Sequence, residues 1–266
     1  MTMIRLITCD IDGTLLQNGE IQLRPILFEQ IRALKERGIL FCPASGRQYA
    51  SLRWLFEPVA DDIGYVCENG AILYRDGKIL CARPLPRDWA WQIIRDILNM
   101  PKAEVLISGA NTSYLIPKAP KMGAHLAEKT HNNIRVIRNE TEIQEDILKV
   151  SAWYEEGAPI ARQVLEPLWK DKVKVAISGP TWLDFTLSDK GTGLEDLCRV
   201  LNIDPADVLS FGDNYNDIPI LSRVGRPYLM RSAVPELRQQ FPRQCGRPEE
   251  ILALLLEKGE EALDAI

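Results

Sequence analysis

Histidine is almost absent from this 266-residue chain: the two present, His125 and His131, lie six apart with no cysteine or carboxylate at a zinc-like spacing. An imidazole-built zinc site is not expected, and both read as surface or packing residues. The six cysteines, Cys9, Cys42, Cys67, Cys81, Cys198 and Cys245, form no CxxC pair. Most sit in or beside apolar runs, so they read as buried, reduced thiols of a cytoplasmic protein. Long apolar runs are lacking too. The longest near the end is Ile251 to Leu256, and Arg5 and Asp10 interrupt the one at the start, far short of the roughly 18 residues that span a bilayer. Neither a secretory signal nor a membrane anchor is expected. No basic stripe exists: 32 Lys and Arg stand against 37 Asp and Glu, a net charge of −5, and the cations are scattered, which argues against nucleic acid as a partner. Low-complexity tracts and internal repeats are also missing. With 46% apolar and 26% charged residues, the chain has the composition of a folded globular protein.

What is present is a rhythm. Ile4 to Cys9 is a short apolar run ending abruptly in Asp10-Ile11-Asp12-Gly13-Thr14, the pattern of a buried strand emptying into a polar loop. Pro25 to Arg37 has helical spacing and Gly38 as its stop; Ile39 to Cys42 reads as a second strand, ending in Ser45-Gly46-Arg47. A helix over Gln48 to Phe56 and a third strand over Ile63 to Cys67 extend the alternation, which predicts one parallel sheet. Asp76-Gly77 then marks a hairpin, and Pro84-Leu85-Pro86 a boundary. The middle block reads as a separate, mostly antiparallel α/β sheet, with an amphipathic segment running to His131. Beyond Ser188 the parallel rhythm resumes, with a helix after Lys190 and a strand, Val208 to Phe211, that empties into Gly212-Asp213-Asn214-Tyr215-Asn216-Asp217. The expected organisation is a discontinuous domain, 1–83 with 188–266, and an inserted domain, 84–187.

In open parallel sheets ligands bind beyond the carboxyl ends of the strands. Three such loops here offer Asp10, Asp12 and Thr14; Ser45, Gly46 and Arg47; and Asp213, Asn214, Asn216 and Asp217. Singly each is ambiguous: Asp12-Gly13 also suits a hairpin turn, the 212–217 segment an Asx-turn, Lys190 a solvated surface. A calcium loop starting at Asp10 fails, because Leu15 and Ile21 stand where Gly and Glu are required. Together they make an all-oxygen set with few ligands, which suits Mg²⁺. An ionised carboxylate such as Asp10 can attack phosphorus without a base to activate it. Asp12, swung aside by the turn at Gly13, fits the acid and base that the leaving group and the later water need.

In this order the motifs resemble the haloacid dehalogenase superfamily: Asp10-Ile11-Asp12-Gly13-Thr14-Leu15-Leu16 is similar to its first motif, Ser45 to its second, Lys190 to its third, and Gly212 to Asp217 to its fourth. Asn69-Gly70-Ala71 and an insert between the second and third motifs resemble the Cof-like subfamily of small-molecule phosphatases. One departure is Gly225-Arg226-Pro227-Tyr228, where that subfamily usually has Gly-Asn-Ala. The resemblance implies a Rossmann-like parallel-sheet core with an inserted α/β cap, and Mg²⁺ on Asp10, the Asp12 carbonyl and Asp213. Lys190 and Ser45 would hold phosphoryl oxygens, with Thr14, Gly46 and Asn216 also toward phosphate or substrate, and Asp217 behind the ligands. Arg47 has two readings, a partner for a second anionic group of the substrate or for a neighbouring carboxylate. The expected activity is hydrolysis of small phosphorylated metabolites, by a monomer or homodimer, through a phosphorylated Asp10. A phosphomutase or phosphotransferase, or a non-catalytic binding module, is the alternative. The tryptophans of the insert, Trp89, Trp91, Trp153, Trp169 and Trp182, could stack on a sugar or ring but at their spacing read first as packing, and Lys118 and Lys121 are candidates for an anionic substrate and equally for solvated surface.

Overall fold

The computed structural model describes residues 3–116, 126 and 131–263; His125, Lys118, Lys121 and most of the expected amphipathic segment lie outside them. In chain order the elements are Leu6–Cys9 (β1), Pro25–Glu36 (α1), Leu40–Pro43 (β2), Tyr49–Leu55 (α2), Gly64–Cys67 (β3), Ile72–Arg75 (β4) and Lys78–Ala82 (β5). Then come Arg87–Asn99 (α3), Ala103–Gly109 (β6), Ser113–Ile116 (β7), Ile134–Val136 (β8), Ile147–Tyr154 (β9), Ala158–Trp169 (α4), Lys174–Gly179 (β10) and Trp182–Thr186 (β11). Lys190–Leu201 (α5), Val208–Gly212 (β12), Ile218–Leu221 (α6), Arg226–Met230 (β13), Pro235–Gln240 (α7), Gln244–Cys245 (β14) and Pro248–Lys258 (α8) complete the chain.

β1 is buried at every position, as a strand covered on both faces is, and its one polar side chain, Thr8, donates from Oγ1 to Ser210 Oγ at 2.8 Å. It lies between β12 and β2 in a parallel sheet of order β14-β13-β12-β1-β2. Leu6 points to one side, with Leu194, Leu197 and Leu237 of α5 and α7. Ile7 points to the other, with Leu27 and Ile31 of α1 and Leu252 and Leu255 of α8. Helices thus cover both faces, and the loops after β1, β2 and β12 emerge together at one edge.

One expectation is corrected. β3 is not a strand of this sheet. It pairs antiparallel with β4, and β4 with β5, in a three-stranded sheet of its own. Only an isolated parallel bridge, Ala44 to Val66, ties it to the chain after β2. The turn Glu68–Gly70 returns the chain at once, so the nearest partner wins over a distant one. Conversely, the departure at Gly225-Arg226-Pro227-Tyr228 opens a strand: β13 lies between β12 and β14, with Pro227 opposite Ser210. A proline argues against a strand, but the burial of Tyr228, Leu229 and Met230 overrides it.

The middle of the chain forms a six-stranded sheet of order β10-β11-β9-β6-β7-β8, antiparallel except at β7–β8. Its faces differ in chemistry because strand side chains alternate. Val105, Ile107, Val150, Ala152, Leu183 and Phe185 pack beneath α3 and α4. The opposite face carries cross-strand rows: Ser108, Lys149 and Thr186, then Leu106, Ser151 and Asp184. All six cysteines are free, five of them buried; burial pushes the Cys42 thiol up to about 12. His131 stacks on Trp54, ring centroids 3.6 Å apart. No helix among the described residues is long and apolar enough to cross a membrane.

Candidate active site

The site starts where β1 stops. The Asp10 amide donates to the Phe211 carbonyl at 3.0 Å, extending the β1–β12 ladder by one rung and fixing Asp10 beside the end of β12. The chain then turns sharply, with the Leu16 amide donating to the Ile11 carbonyl at 2.8 Å. Gly13 sits at φ 95°, and a Cβ there would lie 2.3 Å from Asp213 Oδ2, so glycine is required both by backbone conformation and by close approach. Thr14, fully buried, donates from Oγ1 to Asp213 Oδ1 at 3.0 Å. It therefore orients a carboxylate of the site.

β12 delivers Asp213, and the short turn after it returns Asp217 beneath. Asp217 is fully buried, and its Oδ2 accepts from the Asp213 and Asn214 amides, both at 3.0 Å. Lys190, the first residue of α5, enters from a third direction; Asp189 caps that helix, its Oδ1 accepting from the Thr192 amide at 2.8 Å. Lys190 is 1% exposed, and its Nζ donates to Asp10 Oδ1 at 2.5 Å and to Asp217 Oδ1 at 2.6 Å.

Carboxylate oxygens of Asp10, Asp213 and Asp217 all lie within 4.8 Å of one another. Burial first, and the Asp217 charge second, hold the Asp10 carboxyl well above its ordinary range despite Lys190. The same two causes raise Asp213. Burial would lower Lys190, but Asp10 and Asp217 outweigh it and hold the ammonium above the usual lysine range. One ammonium against three crowded carboxylates leaves the cluster short of positive charge. An all-oxygen donor set of this kind fits a hard divalent cation such as Mg²⁺.

Asp12 stands apart from the cluster. Its side chain is 62% exposed and is gripped by Arg47, Nε to Oδ2 at 2.9 Å and Nη2 to Oδ1 at 2.5 Å. Of the two readings of Arg47, the pairing with a neighbouring carboxylate is the one present. Ser45, 2% exposed, accepts on Oγ from the Arg47 amide at 3.2 Å. Its loop is zipped to the turn after β3: the Glu68 amide donates to the Arg47 carbonyl at 3.1 Å and the Asn69 amide to the Ser45 carbonyl at 2.9 Å.

A cavity of about 520 Å³ gathers Asp10, Asp12, Ser45, Gly46, Arg47 and Asn216 on one wall and Leu106, Ser108, Lys149, Ser151, Trp182 and Asp184 on the other. A larger one, about 750 Å³, shares Asn69, Asp184 and Asn216 with it and reaches Lys190 and Tyr215, but not Asp10. Asp10 and Asp12 therefore face the smaller cavity. Sequence reasoning did not single out Lys149, Asp184 or Glu68. The signal was available in the alternation of Lys149 and Ser151 in one apolar strand and Asp184 and Thr186 in another, which marks a polar face.

The family model of haloacid dehalogenase-like hydrolases matches residues 7–250. The 5-amino-6-(5-phospho-D-ribitylamino)uracil phosphatase of Escherichia coli is 28% identical over 233 residues, covering 86% of each chain. An HMP-PP phosphatase of Yersinia enterocolitica is 27% identical over 259 residues, 93% of this chain and 92% of that one. Among solved structures, a protein of Eubacterium rectale superposes with a TM-score of 0.82 at 27% identity, over 95% of this chain and 98% of the other. A haloacid dehalogenase-like hydrolase of Bacillus subtilis shares the fold at a TM-score of 0.81 and 17% identity, over 96% and 99% of the two chains.

Proposed function

The chain belongs to the haloacid dehalogenase-like hydrolases, and from that premise we propose that it is a Mg²⁺-dependent phosphatase of small phosphorylated compounds, working through a phosphoryl group carried by Asp10. The observation that carries the reading is the meeting of Asp10, Lys190, Asp213 and Asp217, from three separate strand and helix ends, at one buried point. The names of the relatives support the substrate class: two are phosphatases of small phosphorylated molecules.

Asp10 and Asp213, with the Asp12 carbonyl, would hold the metal, and Asp217 would keep Asp213 and Lys190 in place. When bound, the cation supplies charge to balance the phosphoryl oxygens. The protein's own groups do the rest. One Asp10 oxygen bonds to phosphorus as the bond to the leaving oxygen breaks, and Asp12, released from Arg47 when the substrate binds, serves as the general acid that delivers a proton to that oxygen. Asp12, now ionised, takes a proton from the water that attacks phosphorus, the Asp10–phosphorus bond breaks, and inorganic phosphate leaves. Lys190 and Ser45 hold phosphoryl oxygens through both steps, with Gly46 and Asn216 beside them. Thr14 acts through Asp213. Arg47 holds Asp12 at the mouth until the substrate arrives.

In this reading residues 1–83 and 188–266 are the catalytic core and 84–187 a cap that closes over the leaving group and excludes water. Separate sheets and separate apolar clusters support the division. Buried free thiols are in keeping with a cytoplasmic protein, and a monomer or homodimer is the state we propose for it. A phosphate-release screen with Mg²⁺, including the substrates in the relatives' names, tests the proposal. Phosphate release that EDTA abolishes supports it; transfer to an added sugar hydroxyl without release would make the protein a phosphotransferase.

A further inference from the structure

The polar face of the six-stranded sheet holds one lysine that the mechanism above does not use. Lys149 lies mid-strand in β9 and is 5% exposed. Its Nζ meets three acceptors: Glu68 Oε2 at 2.8 Å, the Gly46 carbonyl at 3.0 Å and Asp184 Oδ2 at 3.4 Å. An ammonium has three protons to donate. Two of the three acceptors belong to other parts of the chain, Gly46 to the loop that carries Ser45 and Arg47, and Glu68 to the turn after β3. Asp184 closes the circuit, accepting from Asn69 Nδ2 at 3.0 Å and from Ser151 Oγ at 2.6 Å.

We propose that Lys149 is a positioning residue of the reaction: it reaches from the cap sheet to lock the Ser45–Arg47 loop and the Glu68–Asn69 turn, so that the phosphate-holding side of the site is complete only while the cap face is seated. The inference rests on the phosphatase reading and adds a part to it. Glu68 and Asn69 sit at φ 50° and 55°, a left-handed conformation that asparagine takes readily but that is uncommon for a glutamate unless its surroundings favour it. What favours it here is the circuit: their amides go to Arg47 and Ser45, and their side chains to Lys149 and Asp184. Asn69 also packs over Gly46, where a Cβ would lie 3.1 Å from Asn69 Oδ1. Burial alone would lower Lys149, but the Asp184 and Glu68 charges outweigh it and hold the ammonium above the usual range, so the lock stays charged through the neutral range. Without Lys149, Glu68 is a buried carboxylate lacking its cation, and the turn and the loop it braces lose their common anchor. Ser45 and Arg47 both hang on that loop, so the phosphoryl oxygens and Asp12 lose their alignment together.

The test uses the full chain with Mg²⁺ and compares wild type, Lys149→Met, Lys149→Arg and the double variant Glu68→Gln/Lys149→Met. Para-nitrophenyl phosphate is the substrate, because its compact leaving group reports on the phosphate side alone. Misplacement by about an ångström costs on the order of 100-fold in rate, so Lys149→Met is expected to lose kcat on that scale, with KM changed much less. Lys149→Arg should recover part of it. Amide exchange should quicken in both braced segments, 44–48 and 67–70. In the double variant, which leaves no uncompensated charge at Glu68, Tm should return toward wild type while kcat stays low. The proposal is overturned if kcat recovers in step with Tm, since Lys149 would then be a structural ion pair only. It is equally overturned if Lys149→Met keeps most of its kcat on para-nitrophenyl phosphate and raises KM only for bulkier esters. Should wild type itself turn over nothing, the phosphatase reading fails, and amide exchange alone decides the lock: quickened in both segments upholds it, unchanged in both rejects it.

Discussion

The parallel five-stranded sheet and the six-stranded sheet hold their polar groups in different ways. In the first, Asp10, Ser45 and Asp213 stand just past strand ends, on turns whose shape depends on glycine and on hydrogen bonds between neighbouring loops. In the second, Lys149, Ser151 and Asp184 stand in mid-strand, fixed by a ladder of paired residues. Strand ends let groups from distant parts of the chain converge on one point, which suits reactions that need several charges around one atom. A strand face offers a wall of fixed spacing, which suits shaping and closing a cavity. The comparison assigns chemistry to the edge of one sheet and fit to the face of the other, with Lys149 the link that braces the edge from the face.

The largest expected effect lies at the edge. Asp10→Asn removes the nucleophile and should cost roughly 10⁴-fold or more in kcat, while circular dichroism reports an unchanged fold; most of the activity surviving would break the comparison outright. Next is Lys190→Met. Taking the ammonium away leaves Asp10 and Asp217 buried without their partner, which should cost about 3–5 kcal/mol of stability, read from denaturant unfolding, and a larger share of activity at low Mg²⁺.

Metal and pH probe the same edge. Asp10 and Asp213 are held above the ordinary carboxylate range, chiefly by burial, so the folded metal-free protein binds their protons more tightly than the unfolded chain. Their contribution to stability is therefore greatest below the usual carboxylate pKa near 4, and is lost as pH rises through the raised values. Mg²⁺ should reverse that loss, adding about 2.7 kcal/mol at a hundredfold excess over its Kd near neutrality and less in acid. Tm measured across pH with and without Mg²⁺ checks this, and an Mg²⁺ gain that grows toward acid pH would contradict it.

Lys149 apart, which braces the phosphate side, effects on the face of the other sheet should be smaller and depend on substrate. Asp184 accepts from Ser151 on Oδ1 and from Asn69 on Oδ2; Asp184→Asn keeps the shape and one acceptor oxygen, which can stay with Asn69 while the Ser151 hydroxyl turns to accept from the new amide, and Lys149 retains Glu68. It is expected to lower kcat/KM about tenfold, or about 1.4 kcal/mol, for bulky leaving groups and to spare para-nitrophenyl phosphate. An equal loss on both would place Asp184 with the edge residues. The smallest effect on stability belongs to Arg47→Ala. Its partner Asp12 is mostly exposed, so the pair is worth less than about 1 kcal/mol of folding free energy; a drop well beyond that in urea unfolding would mean Arg47 also braces its loop.

The two sheets were also unequally legible in the sequence. The buried strands β1 and β12 of the parallel sheet are mostly apolar and carry no charge, so the end of each is marked by the first carboxylate, and Asp10 and Asp213 could be read directly. The six-stranded sheet alternates, and Lys149 between Leu148 and Val150 looks like an ordinary solvent-facing residue of a half-exposed strand until the fold turns that face inward. Lys190 was readable by its place in the motif order, but its grip on both Asp10 and Asp217 depends on tertiary approach. Asp12 stood in the expected loop, yet its clamp by Arg47 came only with the coordinates, because nothing local selects between two anionic partners. The third strand was misplaced because pairing depends on which partner the chain meets first.

The central claim is that Asp10 bonds covalently to phosphorus. A single turnover quenched in acid within milliseconds, followed by mass analysis of peptides, tests it most directly. One phosphoryl group is expected on the peptide containing Asp10 in the wild type and none in Asp10→Asn. A phosphoryl group on another residue, or full turnover with Asp10 unmodified at every quench time, would contradict it.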